Sequence, residues 1–531
     1  MLRRSIVRLR WAPVCVVGLT VGCASPRITI PDGQLPPPSR VIDVQTSVVL
    51  AVPATKPEQT AKPEAPKKDG QKAPPFQVPN ILPGADAVPL KPLRFEEETS
   101  AAERLKAVRA AYPELIPASA ALPIAADQAP LSLSDLQQLA LANSPVIRRT
   151  AADADVAYGQ MIQAGLHPNP TIGYQADQVQ PSLKFPPGST ASGAGQQGGF
   201  VNQLIKTAGK LSLAQQVSGY DYINAYVAVR KAQVDVTAQV RTYYFSALVA
   251  KQSLEFNKAL ADMADEVYQL QLRQVASTFA ARYEPYQIYA QAVQARNAMV
   301  QADATYRSAW KQLAAAVGQP DLPFAPLVGR ADAPAPSFAI DDIKNRISEQ
   351  HTDILTARNS ISQANTNLIL QKRIPIPDLQ TNTYHQYDNA AQVYQFGVQL
   401  GIQLPISDRN QGNIRSASSQ IASARERLRV AENDLAGRSA EAFARYDSNR
   451  TIVANYRDKI LPYQTRAYQT LVLRWQTDLP GSVQFNDIVT TQQTLVQSIQ
   501  AYLSALDAQW KAVVDLANIS QFDDLYPPSE K

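Results

Sequence analysis

Between Tyr394 and Leu404 apolar and polar positions alternate without a lapse. Tyr394, Phe396, Val398, Leu400, Ile402 and Leu404 are apolar, and Gln395, Gly397, Gln399, Gly401 and Gln403 stand between them. A period of two sends these sets to opposite faces of a strand. One face is then wholly apolar and the other polar but uncharged, over about the 9–11 residues that a tilted strand needs to cross a bilayer. A half-buried strand in a water-soluble sheet would show the same alternation; the export signal and the helix lengths below argue against it. Asp378 to Tyr387 is the predicted pairing partner. A weaker alternation over Thr171–Ala176 and Phe200–Ile205 predicts a second strand pair, joined by a Gly-, Ser-, Pro- and Gln-rich loop. Gly193 to Gly198 in that loop matches the spacing of a dinucleotide fingerprint. The match is rejected, because no apolar strand leads into it and no crossover helix leaves it.

Helical periodicity dominates elsewhere. No proline occurs from Gly188 to Glu284, which permits a very long helix; Leu211 to Val275 as one helix would be roughly 100 Å long. Ile414, Ala417, Ile421, Ala424, Leu428, Ala431 and Leu435 alternate steps of three and four. That is a heptad seam with alanine at every other core position, and it predicts closely packed neighbouring helices.

The chain is also written twice. Trp310-Lys311 recurs as Trp510-Lys511, Gln203-Leu204 as Gln403-Leu404 and Ile288 as Ile488, while Pro168 and Pro170 recur as Pro375 and Pro377. The last pair has an offset seven residues larger, which a longer loop in the first copy explains. Each copy reads helix, strand, strand, long helix, long helix, with copies expected over 129–328 and 329–531. Four strands cannot close a membrane barrel, and open edges are not tolerated in lipid, so the chain is expected to oligomerise.

Composition changes the picture mainly at the N-terminus. Arg3, Arg4, Arg8 and Arg10 precede an apolar stretch from Trp11 to Val21 and then Gly22-Cys23, the layout of a secretory signal over 1–22 that is too short to span a membrane. Cys15 and Cys23 are the chain's only cysteines, so the exported chain has no intramolecular disulfide. Twenty of the 39 prolines fall within the first 130 residues, and residues 23–128 are expected to be an extended tether with one short helix near Glu96–Ala111. A net charge of +5 spread over 531 residues, without an aromatic-basic module, speaks against nucleic acid as a partner. His167, His351 and His385 are far apart in sequence. No zinc-type spacing and no His-anchored catalytic signature is present, so the reading is of a non-enzyme without cofactor or metal site, and any selectivity for a metal cargo would reside in partner proteins.

Leu404-Pro405-Ile406-Ser407-Asp408-Arg409-Asn410-Gln411-Gly412-Asn413-Ile414, Pro168-Asn169-Pro170 and Ile205-Lys206-Thr207-Ala208-Gly209-Lys210 resemble the strand–helix junctions of TolC-type outer-membrane efflux proteins. Within that family they are most like the CzcC-type branch for heavy-metal cations. The resemblance covers about residues 131–520. It implies a mainly α protein with a membrane β-barrel: a homotrimer whose twelve strands form one outer-membrane barrel, continued by a periplasmic α-helical barrel. It also implies a passive efflux conduit working with a periplasmic adaptor (membrane fusion protein) and an inner-membrane proton-driven pump.

Gly22-Cys23 resembles a lipoprotein processing box, which implies acylation of Cys23, although Thr20 stands where that box usually has Leu, Val or Ile. The family's helix-to-helix hairpins correspond to Ala276–Pro285 and Asp478–Phe485, placing Ser277, Thr278, Gly481 and Ser482 at adaptor contacts. Asp487 matches the first of the family's entrance aspartates, and Thr490 stands where the second would be. Asp487 as a solvated helix-start carboxylate is the alternative. Two further readings are an outlet for multidrug efflux or type I secretion, which differs mainly in its partners, and a periplasmic coiled-coil scaffold, which has no use for two pairs of membrane-length strands.

Overall fold

The computed structural model describes residues 100–115, 129–177, 195–277, 281–477 and 484–525. The leader, Cys23 and most of the tether lie outside them. Element order in the first copy is α2 (Leu133–Asn143), α3 (Pro145–Ala164), β1 (Thr171–Asp177), β2 (Gln196–Ile205), α4 (Lys210–Ala276) and α5 (Glu284–Ala316). The second copy repeats it as α6 (Ile340–Gln350), α7 (Thr352–Arg373), β3 (Leu379–Asp388), β4 (Val393–Ile402), α8 (Gln411–Asn455), a π-turn (Tyr456–Ile460), α9 (Leu461–Thr477) and α10 (Phe485–Ile519). A short helix, α1 (Ala101–Ala111), precedes both.

The duplicated unit is therefore present, with two refinements. Its first helix is broken in each copy, at Ser144-Pro145 and at His351-Thr352. Pro145 takes the first position of α3, where a missing N–H costs nothing. The second copy's long arm is also interrupted by the π-turn. Pro462, two residues beyond it, has no N–H to donate and its ring crowds the carbonyl four residues back, a recognised cause of such a wide turn.

α4 runs unbroken for 67 residues, one residue longer at each end than the expected helix Leu211–Val275. β2 begins at Gln196, four residues ahead of expectation, so Gly198 of the rejected fingerprint lies in a strand. β3 and β4 differ from their sequence limits by one or two residues at each end, within ordinary boundary scatter.

The described residues form two compact units. One, spanning 150–229 and 352–432, carries a four-stranded antiparallel sheet in the order β1-β2-β3-β4. The two copies fuse through β2 and β3, from Gln196↔Asp388 to Ile205↔Leu379. In the heptad seam of α8, Ala417 and Ala424 are 1% and 6% exposed.

The other unit spans 100–149, 230–351 and 433–525. Trp310 and Trp510 are each 1% exposed at its centre, and Trp510 stacks on Phe245 with ring centroids 3.8 Å apart. Arg230 pairs with Asp523 at 3.0 Å, and the Arg241 and Arg346 guanidinium groups donate to the Phe522, Ser520 and Gln521 carbonyls. These arginines hold the turn that follows α10, where helix carbonyls lack intrahelical partners and cations are favoured.

Candidate functional site

Residues paired directly across an antiparallel ladder share a face, so the register assigns both surfaces of the sheet. Ile402↔Leu379↔Ile205, Val398↔Thr383↔Val201↔Ile172 and Tyr394↔Tyr387 lie on one side. On this side Ile172, Tyr174, Tyr394, Phe396, Leu400 and Ile402 are exposed, Phe396 by 73%. A row of large apolar side chains open to the surroundings over the full strand length has the form of a lipid-facing surface. Near the β3–β4 turn it changes character: His385 stacks on Tyr394 at 5.3 Å, and Tyr387 meets Tyr394 at 5.0 Å. Amphipathic rings gathered at one end of an apolar band are the usual mark of a membrane–water boundary. Among the described residues no helix is long and apolar enough to cross a membrane.

The opposite face carries Gln175, Asp177, Gln196, Asn202, Gln380, Asn382, Gln386, Asp388, Gln395 and Gln399. Gln196 and Gln395 donate to Asp388 at 3.1 and 3.3 Å, and Gln386 to Asp177 at 3.4 Å. Two aromatic rings lie within this polar surface, and each covers a glycine. A Cβ at Gly397 would strike the Tyr384 ring, and one at Gly173 would strike Phe200. Gly397 and Gly173 thus make room for cross-strand rings, whereas Gly401, the other glycine of the alternating stretch in β4, faces open space.

At the other end of the sheet the junctions of the two copies are tied together. Asp378, just before β3, accepts from Lys206 at 2.9 Å, Lys210 at 2.8 Å and the Thr207 N–H at 3.0 Å, while the Thr207 hydroxyl donates to the Pro377 carbonyl at 2.6 Å. Burial acts to raise the Asp378 pKa, but the bonds from Lys210, Lys206 and Thr207 outweigh it and hold the carboxyl well below its ordinary range. Lys206, Thr207 and Lys210 belong to a junction motif noted in the sequence, but their shared partner was not apparent there. Asn410 marks the equivalent turn before α8. It adopts φ 59°, which asparagine tolerates better than most residues, and its amide donates to the Gln371 carbonyl at 2.8 Å.

The hairpin ends form the third part of the site. α4 ends at Ala276 and α5 begins at Glu284; α9 ends at Thr477 and α10 begins at Phe485. Both hairpins therefore fall where the sequence places them. Val275, Ala276 and Ile288 of the first share one apolar core with Trp475, Phe485 and Val489 of the second, so the structure brings the two ends together. Ser277 is exposed and its N–H donates to the Arg273 carbonyl at 3.0 Å. Thr278, Gly481 and Ser482 lie outside the described residues. Asp487 is exposed in the first turn of α10, where its carboxylate accepts the Gln484 N–H at 3.3 Å. That bond gives Asp487 a local capping role, and Thr490 bonds back to the Asn486 carbonyl at 2.6 Å.

Residues 136–319 match the family described as outer membrane efflux protein. The cobalt-zinc-cadmium resistance protein CzcC of Cupriavidus metallidurans is 23% identical over 390 residues, covering 73% of this chain and 90% of that protein. Among solved structures, a membrane protein from Pseudomonas aeruginosa superposes with a TM-score of 0.62 at 18% identity, covering 73% of this chain and 92% of that one. CusC gives 0.62 at 15% identity over 77% of this chain and 98% of its own. The open state of the MtrE outer membrane channel of Neisseria gonorrhoeae gives 0.60 at 16% identity over 73% and 88%. The chain is thus similar to outer membrane efflux proteins over residues 136–319, is related in sequence to CzcC over nearly all of that protein's length, and shares the fold of the solved outer-membrane channels over about three quarters of its own.

Proposed function

We propose that three copies of this chain close one twelve-stranded barrel, the outer-membrane conduit of a tripartite efflux system that also has a periplasmic adaptor and an inner-membrane proton-driven pump. The observation that carries this reading is the apolar face of the sheet, exposed along its length and bounded by two strands, β1 and β4, that each have one unpaired edge in a single chain. Lipid offers no hydrogen bonds to such edges, so they must pair with other copies. The polar, mostly uncharged opposite face then lines a wet lumen, and the chain acts by passage rather than by catalysis.

Heavy-metal cations are the proposed cargo, on the similarity to the cobalt-zinc-cadmium resistance protein. Residues 1–22 are read as a signal peptide and 23–128 as a tether with one helix. Cys23 is read as the acylated first residue of the mature chain, with its lipid at the outer membrane. The two efflux repeats occupy 129–328 and 329–531. Ser277, Thr278, Gly481 and Ser482 are assigned to adaptor contact, and Asp487 to the periplasmic entrance.

Reconstitution tests the conduit directly. The purified chain should insert into lipid bilayers as a trimer and conduct ions, and a detergent-free soluble monomer would overturn the reading. Loss of the protein should raise cellular sensitivity to cobalt, zinc or cadmium, and sensitivity only to organic drugs would move the cargo to the multidrug class. Mass spectrometry of the mature N-terminus should find a diacylated or triacylated Cys23; an unmodified cysteine there sinks that assignment.

A further inference from the structure

The Pro-rich segment that composition marks as a tether contains a helix fixed to the hairpin ends. Ser100 and Glu103 form a reciprocal cap that starts α1, with Ser100 N–H to Glu103 at 3.1 Å and Glu103 N–H to Ser100 Oγ at 3.3 Å. One turn farther on, Val108 and Tyr112, 0% and 4% exposed, enter the core built by Val267, Tyr268 and Leu272 of α4 and Ile288 of α5. This is also the core against which Trp475, Phe485 and Val489 of the second hairpin pack.

Two phenols secure the contact in opposite directions. Tyr112 Oη donates to the Arg282 carbonyl, between α4 and α5, at 2.9 Å, and Tyr268 Oη donates to the Pro113 carbonyl at 2.7 Å. The Tyr112 and Tyr286 rings lie 5.1 Å apart. A spacer that only supplied length would make no such reciprocal bonds. Since apolar interiors pack densely and do not deform smoothly, separating the two hairpin ends requires the shared core to open, and α1 is part of that core.

We propose that α1 is a latch on the channel entrance: docked, it binds the α4–α5 and α9–α10 ends of its chain into one core and so keeps the entrance formed by three copies narrow; released, it lets the ends part and the entrance widen. The proposal rests on the reading of these ends as the entrance of a membrane channel.

The test uses the full-length chain in planar bilayers without adaptor, together with amide hydrogen exchange over residues 101–112. Leu105→Asp and Val108→Asp should both accelerate exchange across α1 and raise open-channel occupancy about tenfold, with trimer insertion unchanged. Tyr112→Phe, which removes only the bond to Arg282, should give a smaller change in the same direction. If Val108→Asp does not assemble, excision of residues 101–111 gives the same readout. Faster exchange in an inserted trimer whose current equals that of the unmodified protein overturns the latch and leaves α1 as packing. Failure of the unmodified chain to insert at all would instead remove the channel reading on which the latch depends.

Discussion

Trp310 and Trp510 bury their indoles in the same unit and direct them to the same segment of chain: Trp310 Nε1 donates to the Leu322 carbonyl at 3.4 Å and Trp510 Nε1 to the Ala331 carbonyl at 2.7 Å. Residues 320–339 join the two copies. The repeated dipeptide is thus the footprint of a repeated task, in which each copy uses a ring to hold the linker between them. Trp510 has the shorter bond and also stacks on Phe245, so Trp510→Phe should destabilise more than Trp310→Phe, by about 1 kcal/mol, the net worth of an ordinary hydrogen bond. Trp510→Ala should cost about 3–5 kcal/mol. Chemical unfolding of the detergent-solubilised protein measures all three, and equal costs for the two phenylalanine variants would contradict the assignment.

The face assignment of β4 predicts opposite fates for neighbouring substitutions. Val398→Arg or Leu400→Arg should lower the stability of the inserted protein by about 2–4 kcal/mol if the site lies near the bilayer midplane. Gln399→Arg, on the polar face, should leave the yield of inserted protein close to normal. Equal losses at Leu400 and Gln399 would show that the sheet does not separate lipid from water.

Asp378 makes stability depend on pH. Its folded pKa is depressed, so its contribution is fully present above the unfolded value of about 3.9 and is lost as pH falls below that value towards the folded one. Asp378→Asn should therefore lower the melting temperature at pH 7, with a cost of about 1.5–3 kcal/mol for bonds to a charged group. At pH 3 the gap between the two proteins should narrow. A gap independent of pH would mean that the triad with Lys206 and Lys210 contributes through shape alone.

Asp487→Asn leaves an oxygen that can still accept the Gln484 N–H, so it separates charge from capping. If three copies meet at the entrance, their carboxylates favour cations. The variant should then show reduced cation preference and weaker block by multivalent cations in bilayer recordings, with trimer assembly unchanged. Unaltered selectivity in an intact trimer would leave Asp487 as a cap of α10 and nothing more.

Local rules made much of the fold legible. The strict alternation over Tyr394–Leu404 marks both the strand and its exposed apolar side, and the absence of proline before Pro285 permits the length of α4. What stayed hidden depends on partners distant in sequence. Lys206 and Lys210 were visible at a junction, but their carboxylate lies about 170 positions away in the other copy. Val108 lies in the short helix expected near Glu96–Ala111 and Tyr112 just beyond it, but only the folded hairpin supplies the apolar surface that buries them. The break between α2 and α3 was a different kind of miss, because Ser144-Pro145 announces it locally. Asp487 was legible as a helix-start carboxylate, and that is the local role the structure gives it.

The two long arms begin and end in step: α4 runs from Lys210 to Ala276, and the second arm runs from Gln411 to Thr477. They match in residue count but not in winding, because the second spends one wide turn at Tyr456–Ile460. A π-turn takes an extra residue per revolution, so side chains beyond it are rotated about the helix axis relative to their counterparts in α4. The copies consequently drift out of phase before they reach their hairpins. The two hairpins of one chain therefore present different side-chain faces, so a partner docking on both would meet two unlike surfaces within a single copy.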